Sequence, residues 1–356
     1  MQRNTDFAVL ERAAGIYLPD AVDYIKPEWK ADITIAMDAQ PTLITSSNSG
    51  IPGFLTTFID PDILTVLTAK NAATNILGEV RKGSWTDVTA MFPVIEQTGE
   101  VSSYGDFNSN GRAGINTNFP QRENYLFQVM IEYGELELER AGLAKIGWAA
   151  ELKTAAVNIL AKFMNLCYFY GVSGLQNYGM LNDPSLSAPI APAIKAAGGV
   201  KWWNGTAMNA TANEVYSDIQ GLFVQLVNQS MGNVDQESKL VLGLSPKSAA
   251  ALTATNQYNV NVADLLKKNF PNFRISTAVQ YGALSAQNPQ GSAAGEVVQL
   301  WAESVEGQDS GMNAFSEKLR THPIIRSESS FKQKLTAGSW GSIVRQPFAC
   351  AQMLGV

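Results

Sequence analysis

The single histidine of this 356-residue chain, His322, is the residue on which any catalytic triad would depend. A serine or cysteine nucleophile needs a neighbouring base, and histidine is the usual one. His322 stands in Arg320-Thr321-His322-Pro323, beside a proline and outside any Gly-x-Ser-x-Gly sequence. Nothing in this setting marks it as a base, so we expect a turn or interface histidine.

Three carboxylates at alternate positions, Glu135, Glu137 and Glu139, are the other candidates for catalysis, because paired carboxylates perform general acid and base chemistry. Their segment alternates at Leu136 and Leu138, which favours a strand. On a strand the three would share one face and repel each other, so we expect a solvated edge or ion pairs instead of a catalytic pair.

Motifs for cofactors and metals are missing from the sequence. There is no phosphate-binding loop and no dinucleotide fingerprint, since Gly171, Gly174 and Gly179 have the wrong spacing and follow a helix. No calcium loop of the EF-hand type occurs. Cys167 and Cys350 lie far apart in apolar surroundings without metal spacing, which predicts free, buried thiols in a reducing compartment. We therefore predict no cofactor, no metal and no enzyme.

Composition limits the partners. With 26 basic and 32 acidic residues the net charge is −6, which argues against a dedicated nucleic-acid binder. Only 16% of residues are charged, below the roughly 25% of ordinary soluble domains. Either other chains cover much of the surface, or the surface is rich in uncharged polar residues. The sequence has no signal-peptide core and no apolar run of about 18 residues, so we expect a soluble cytoplasmic product without membrane contact.

The element around which these residues are arranged is the stretch 148–170, whose apolar side chains recur with the 3.6-residue period of an amphipathic helix. Such a helix would be about 35 Å long and buried over most of its circumference. We expect its core positions to include Trp148, Leu152, Ile159 and Phe163.

A β-hairpin is predicted before this helix. Apolar residues alternate along 88–94 and 125–131, and between them lies a glycine-rich stretch with the turn dipeptide Asn110-Gly111. Residues 89–123 thus form a hairpin too long to bury its tip against its own domain, and such loops usually make contacts elsewhere. The alternative is a disordered surface loop.

The rest of the chain divides into an arm, an α/β insert and a returning strand. Residues 1–53 read as an extended arm, and Asp60 caps a short helix. An Ala/Pro/Gly linker near 177–206 marks a domain boundary. Helices are expected at 211–230, 246–252 and 261–269, and strands at 240–244, 273–276 and 297–302. The last block is strand-like with a turn at Gly338–Gly341, and it returns to the sheet from which the long helix left.

This order of parts resembles the major capsid proteins of tailed bacteriophages, in the shell fold first described for phage HK97. Particular phrases are similar to one uncharacterised-domain family of these proteins. They are IPGFLTTFIDPDILTVLTA (51–69), MFPVIEQTGEVSSYGDF (91–107), NFPQRENYLFQVMIEYGELELERAGL (118–143) and YFYGVSGLQNYGMLNDP (168–184). The similarity is close over most of 51–184, and the remainder fits in order and length.

The resemblance implies an α+β fold with the following parts. They are an N-terminal arm (1–53), a P-domain (54–88 and 124–176, with spine helix 148–170), an E-loop hairpin (89–123), an A-domain (177–322) and a return to the P-domain (323–356). It also implies assembly contacts on the E-loop, for which we select Tyr104, Asp106, Phe107, Asn110 and Arg112.

The implied function is a structural subunit that self-assembles as hexamers and pentamers into an icosahedral head shell. The shell encloses double-stranded DNA without reading its sequence, in a virion assembled in the bacterial host cytoplasm. A scaffold protein, a portal and a decoration protein are the implied partners. The alternatives are an encapsulin-like nanocompartment and an unrelated soluble α/β enzyme.

Two departures from the family pattern bear on the shell. Some shells of this fold cross-link a Lys of the E-loop to an Asn of the P-domain, but no lysine occurs between Lys82 and Lys145. We therefore predict noncovalent stabilisation. No large helical scaffold domain precedes the arm in this sequence, so we expect a separate scaffold protein.

Overall fold

The computed structural model describes residues 71–143 and 147–356. The predicted arm (1–53) and the helix after Asp60 lie outside the described residues. The helices of the described ranges are α1 (Thr74–Leu77), α2 (Glu135–Leu143), α3 (Trp148–Tyr170), α4 (Ala212–Gln229), α5 (Pro246–Ala251) and α6 (Val262–Asn269). The mixture of these helices with the strands below confirms the α+β class.

The described ranges contain 17 strands, of which β2 to β5 form the hairpin. The first eight are β1 (Glu79–Arg81), β2 (Thr89–Met91), β3 (Val94–Gly99), β4 (Ala113–Asn118), β5 (Gln121–Glu123), β6 (Tyr125–Gly134), β7 (Trp203–Asn204) and β8 (Ala207–Met208). The others are β9 (Leu240–Leu244), β10 (Phe273–Thr277), β11 (Val297–Ala302), β12 (Ser304–Val305), β13 (Gln308–Asp309), β14 (Gly311–Thr321), β15 (Ile325–Ser327), β16 (Ser330–Val344) and β17 (Cys350–Leu354).

A five-stranded sheet carries the long helix α3. Strand β1 pairs with β14, and β14 and β15 pair with successive parts of one side of β16. Strand β6 pairs with the other side of β16, from Gly134 with Ser330 to Tyr125 with Ser339. The strand that follows the insert thus returns beside β6, the strand that leads through α2 to α3. The predicted turn at Gly338–Gly341 is wrong, because β16 runs unbroken through both glycines. A Cβ at Gly338 would lie 2.3 Å from the Ser316 hydroxyl, so glycine here allows close contact instead of a turn.

A four-stranded sheet, β10-β9-β11-β17, forms the second part of the fold, with α4 packed on it. Strands β9 and β10 are parallel, which requires the crossover through α5 and α6. The predicted division at 322 needs correction, because β14 belongs to the first sheet and β17 pairs with β11 of the second. Sheet membership depends on pairing between distant segments, which the order of elements alone does not fix.

Residues 135–143 form helix α2, so the predicted strand is wrong. The segment consists of strong helix formers, Glu, Leu, Arg and Ala, and this local preference outweighs a short alternation of apolar residues. On a helix Glu135 and Glu139 lie one turn apart on one side, whereas Glu137 points away from them, so the three do not form one acidic face. No helix in the ranges 71–143 and 147–356 is long and apolar enough to span a membrane.

The predicted linker is fixed by a buried ion pair that the sequence did not reveal. Lys195 Nζ lies 2.5 Å from Asp218 Oδ2 on α4, and both side chains are at most 2% exposed. The Trp202 indole donates to the same carboxylate oxygen at 2.6 Å, and the Ala193 amide donates to the other oxygen at 3.2 Å. The segment before α4 is therefore part of the core of the second sheet.

Replacing Asp218 with alanine is expected to lower the free energy of unfolding by about 3–5 kcal/mol, because Lys195 is left charged and buried without a partner. Urea unfolding of the unassembled subunit measures this loss. The control is Lys332→Ala, which removes an ion pair to Glu132 whose two side chains are about half exposed and should cost about 0–1 kcal/mol. Equal midpoints for the two variants would contradict the prediction.

Candidate assembly surface

The hairpin between β2 and β5 begins at its root with the pair Thr89 and Glu123, the ends expected from the sequence. It consists of two ribbons, β2 with β5 and β3 with β4. The ribbons are joined where Phe92 N donates to Pro120 O at 3.0 Å, and each strand carries a proline at this junction, Pro93 and Pro120. Proline has no N–H to donate, which explains why the ladder is interrupted here.

The outer ribbon is uncovered on both faces. Every residue of β3 and β4 is exposed, including Ile95 and Ile115, which project from the same face. A two-stranded ribbon without an apolar partner is marginally stable in water. The described part of its own chain provides no such partner, so the ribbon is suited to lie against another surface.

The tip of the hairpin is the loop 100–112, closed where Glu100 N donates to Arg112 O at 3.0 Å. The predicted two-residue turn at Asn110-Gly111 is therefore wrong. Asn110 N instead donates to the Asn108 side chain at 2.9 Å, and Gly111 has a positive φ of 88° close to Ser102 N. These contacts order a longer loop than the dipeptide alone indicates.

The selected tip residues present aromatic rings to solvent. Tyr104 is 93% exposed and Phe107 is 104% exposed, and the Tyr104 hydroxyl donates to Asp106 at 2.9 Å. Large exposed aromatic side chains are the usual anchors of protein interfaces. Arg112 has no carboxylate partner among the described residues.

The root of the hairpin is fixed to the turn that follows α3. Arg122 Nη2 lies 2.8 Å from Asp183 Oδ2, with only 11% of the arginine side chain exposed and none of the aspartate. The arginine also lies over the Tyr178 ring. Glu123 N donates to Gln176 O at 3.1 Å, and Gln176 N donates back to the Glu123 carboxylate at 2.9 Å. Charge-assisted bonds of this kind set the direction in which the hairpin leaves the sheet.

Asn177 joins this root to the sheet, a role that no local pattern in the sequence indicates. Its side chain is buried and donates to Glu123 O at 3.1 Å and to Ser339 O at 2.9 Å. The hairpin, the turn after α3 and strand β16 therefore meet at one amide. The signal in the sequence was the glycine cluster at 171–179, which marked a tight turn but not its contacts.

Helix α3 has the predicted bounds, yet it buries a narrower face than expected. Its buried apolar residues before the last turn are Ala156, Leu160 and Met164, at steps of four. Ile159 is 53% exposed, so its predicted core position is wrong for the chain alone. Only one side of the helix faces β6 and β16, and in the part of the chain that the structure describes the side that carries Ile159 is exposed.

The other predicted core residues of α3 lie at the border of the buried face. Trp148 and Leu152 are half-buried and pack against the core of the five-stranded sheet. Phe163 packs against Phe127 in a tilted arrangement, with ring centroids 4.7 Å apart and an interplanar angle of 59°, but remains 36% exposed. Asn165, predicted to belong to the polar stripe, is buried and accepts a hydrogen bond from Ala73 N at 3.0 Å.

His322 occupies a structural position at the end of β14. Its Nε2 lies 3.1 Å from the Thr336 hydroxyl, and its carbonyl oxygen accepts from Gln333 at 3.0 Å. Within 71–143 and 147–356 no group of three His, Cys, Asp or Glu side chains could hold a metal ion. Cys167 and Cys350 are free and buried, as predicted. Burial raises the pKa of the Cys167 thiol to about 12.

Solved capsid structures share this fold. The capsid protein of Myoviridae phage XM1 is similar over 87% of this chain and 100% of its own, with a TM-score of 0.68 and 13% identity. The capsid of the native GTA particle matches over 88% and 99%, with a TM-score of 0.57 and 12% identity. Gordonia phage Cozz matches over 89% and 97%, with a TM-score of 0.53 and 10% identity. These similarities confirm the HK97-like shell fold.

Among curated proteins no sequence matches this chain. A family model does match, and it describes the Pa193 gp26 major capsid protein. The match extends over residues 42–355, nearly the whole sequence, and so includes both sheets, α3 and the hairpin. The chain belongs to the Pa193 gp26 major capsid protein family and is a structural subunit of a phage shell.

Proposed function

We propose that this subunit assembles as hexamers and pentamers into an icosahedral head that encloses double-stranded DNA, with the hairpin as the arm between subunits. The observation that carries the proposal is the uncovered hairpin on a fixed root. Its outer ribbon and tip expose Ile95, Ile115, Tyr104 and Phe107, whereas Arg122 and Asp183 anchor it to the sheet. Because its root is fixed, the arm leaves the sheet in a set direction and can therefore define the angle between neighbours.

The interaction with DNA is proposed to be enclosure without sequence recognition. A net charge of −6 gives little attraction to phosphates, and packaged DNA must stay free to leave the shell. A scaffold protein, a portal and a decoration protein are the proposed partners, with assembly in the bacterial cytoplasm. The proposed role is structural and not catalytic, in keeping with the family.

Electron microscopy of the full chain, expressed in bacteria alone and with its neighbouring phage genes, tests this function. Closed shells built from hexameric and pentameric capsomers are the expected result. Shells that enclose a protein cargo instead of DNA in infected cells would favour a nanocompartment. A chain that stays monomeric under every condition would contradict the proposal.

A denaturing gel of mature particles is expected to show only the monomer band. The hairpin carries no lysine amine, because none occurs between Lys82 and Lys145, so it cannot form an isopeptide bond through this group. Particles boiled in detergent and reducing agent provide the measurement. A ladder of linked subunits would contradict the prediction of a noncovalent shell.

A further inference from the structure

Helix α2 buries none of its residues in the described part of the chain. Leu136 and Leu143 are 58% and 87% exposed. Together with Glu139 and Arg140 they share one helix face, at steps of three and four residues. A helix of 9 residues gains too little from its own hydrogen bonds to be stable in water. Its outer face is therefore suited to be covered by another surface.

A second uncovered element lies at the same end of the sheet as α2. It belongs to the side of β16 that faces away from β6. Strand β1 pairs with β14 only as far as Phe315, and among the described residues no strand pairs with the outer edge after that point. We call residues 317–326 the basic edge. It exposes Leu319, Ile324 and Ile325, the last at 67%. Strand β6, which leads into α2, pairs with the other side of β16 at Ser330.

The charges of the two elements are opposite. Helix α2 has three carboxylates, Glu135, Glu137 and Glu139, against Arg140, and the basic edge has Lys318, Arg320 and Arg326 against Glu317. Several of these are paired within the chain, as Arg326 is with Glu135 at 2.6 Å and Lys318 is with Glu79 at 2.5 Å. Glu139 and Arg320 have no ion-pair partner among the described residues, and Arg320 lies over the Trp85 ring.

We propose that helix α2 of one copy of this chain binds the basic edge of the next copy, with its leucines on the exposed apolar residues of the edge and Glu139 facing Arg320. This proposal rests on the proposed shell assembly. It adds a second contact between subunits besides the hairpin. Because the two surfaces differ, the contact is head-to-tail, and in the proposed hexamers and pentamers repeated contacts of this kind close into a ring of copies.

Cysteine cross-linking tests the contact directly in the full chain. The sequence contains only Cys167 and Cys350, both buried, and burial raises the pKa of the Cys350 thiol well above its usual range. Cysteines introduced at Glu139 and Arg320 are therefore the accessible thiols for a short bismaleimide. Assembled particles of Glu139→Cys/Arg320→Cys should give a ladder of linked subunits that ends at the number of copies in the ring.

Three control variants make the result specific. Glu139→Cys alone should give no linked product, because Glu139 of one copy faces Arg320 of the next. A linked dimer would show instead that α2 binds α2. Glu139→Cys/Lys239→Cys, at an exposed lysine directly before strand β9 of the second sheet, should also stay unlinked. Linkage of Arg320→Cys to Asp106→Cys at the hairpin tip, without linkage to Glu139→Cys, would overturn the proposal in favour of the hairpin as the occupant of the basic edge.

Charge reversal gives a second, independent result. Glu139→Lys and Arg320→Glu are each expected to lower the assembled fraction about tenfold, because each brings like charges together, and the double variant should restore it to within about twofold. Assembly that is unaffected by all three variants, or a double variant as poor as the singles, would overturn the contact. A wild-type chain that forms neither shells nor capsomers would instead contradict the proposed function, and the cross-link would then be absent too.

Discussion

Gly179→Ala is expected to yield no soluble subunit. A Cβ at this position would lie 2.2 Å from both the carbonyl carbon and the oxygen of Phe169, and 2.3 Å from Tyr170 N. These are backbone atoms of the last turn of α3, so they cannot move aside as the end of a flexible side chain would. The amides of the next two residues donate to this same turn, Met180 N to Tyr168 O at 2.9 Å and Leu181 N to Phe169 O at 3.0 Å.

The effect of Gly179→Ala extends beyond this turn, because the contacts of the hairpin root depend on the position of residues 177–179. Gly341 of β16 approaches the same segment, where a Cβ would lie 2.3 Å from Tyr178 O. Separating these backbones would move Asn177 away from Glu123 and Ser339, and Tyr178 away from Arg122. The expected loss combines steric overlap with broken buried hydrogen bonds, two mechanisms that produce the largest effects of single substitutions.

The matched control is Gly221→Ala in the interior of α4. A Cβ there meets nothing within 4 Å, and alanine is favoured over glycine in a helix by about 1 kcal/mol. This variant should stay soluble and unfold at a slightly higher urea concentration than the wild type. Soluble expression with native circular dichroism is the measurement for both. A soluble Gly179→Ala chain with wild-type stability would contradict the steric argument.

The elements that local sequence determines were predicted well. The bounds of α3 follow from its apolar period, and α4 begins at the expected position. The structure shows a capping box there, in which Thr211 N donates to the Glu214 carboxylate at 2.7 Å. The buried strand β9 and the helix after Ser245 were likewise predicted by an apolar run and by Pro246. In each case the residues that define the element lie within a few positions of one another.

The features that were missed or wrong depend on contacts between distant segments. The exposure of Ile159 depends on which side of α3 the sheet covers, and the period alone cannot reveal this. Arg122 and Asp183 are separated by 61 positions, so nothing local indicates that they pair. The unbroken course of β16 through Gly338 likewise depends on Ser316 of the neighbouring strand.

Tyr104→Ala/Phe107→Ala is expected to leave the subunit folded and to abolish shell assembly. Both rings are almost fully exposed in the isolated chain, so their removal costs little in the free energy of unfolding. If each ring fills a pocket of a neighbour, its loss weakens that contact by about 2 kcal/mol or more. The same contact recurs at every arm of a shell, and a modest loss per contact therefore prevents closure.

The measurement must separate assembly from folding, because either defect removes particles. The doubly substituted chain should match the wild type in urea unfolding, while sedimentation and electron microscopy show capsomers or monomers without shells. Ser103→Ala in the same loop is the control, since it changes no aromatic ring and leaves the backbone oxygen that binds Asn108 in place. Normal shells from the aromatic double variant would show that the tip is not an anchor. The exposed ribbon face of Ile95 and Ile115 would then be the part of the hairpin left to provide the contact.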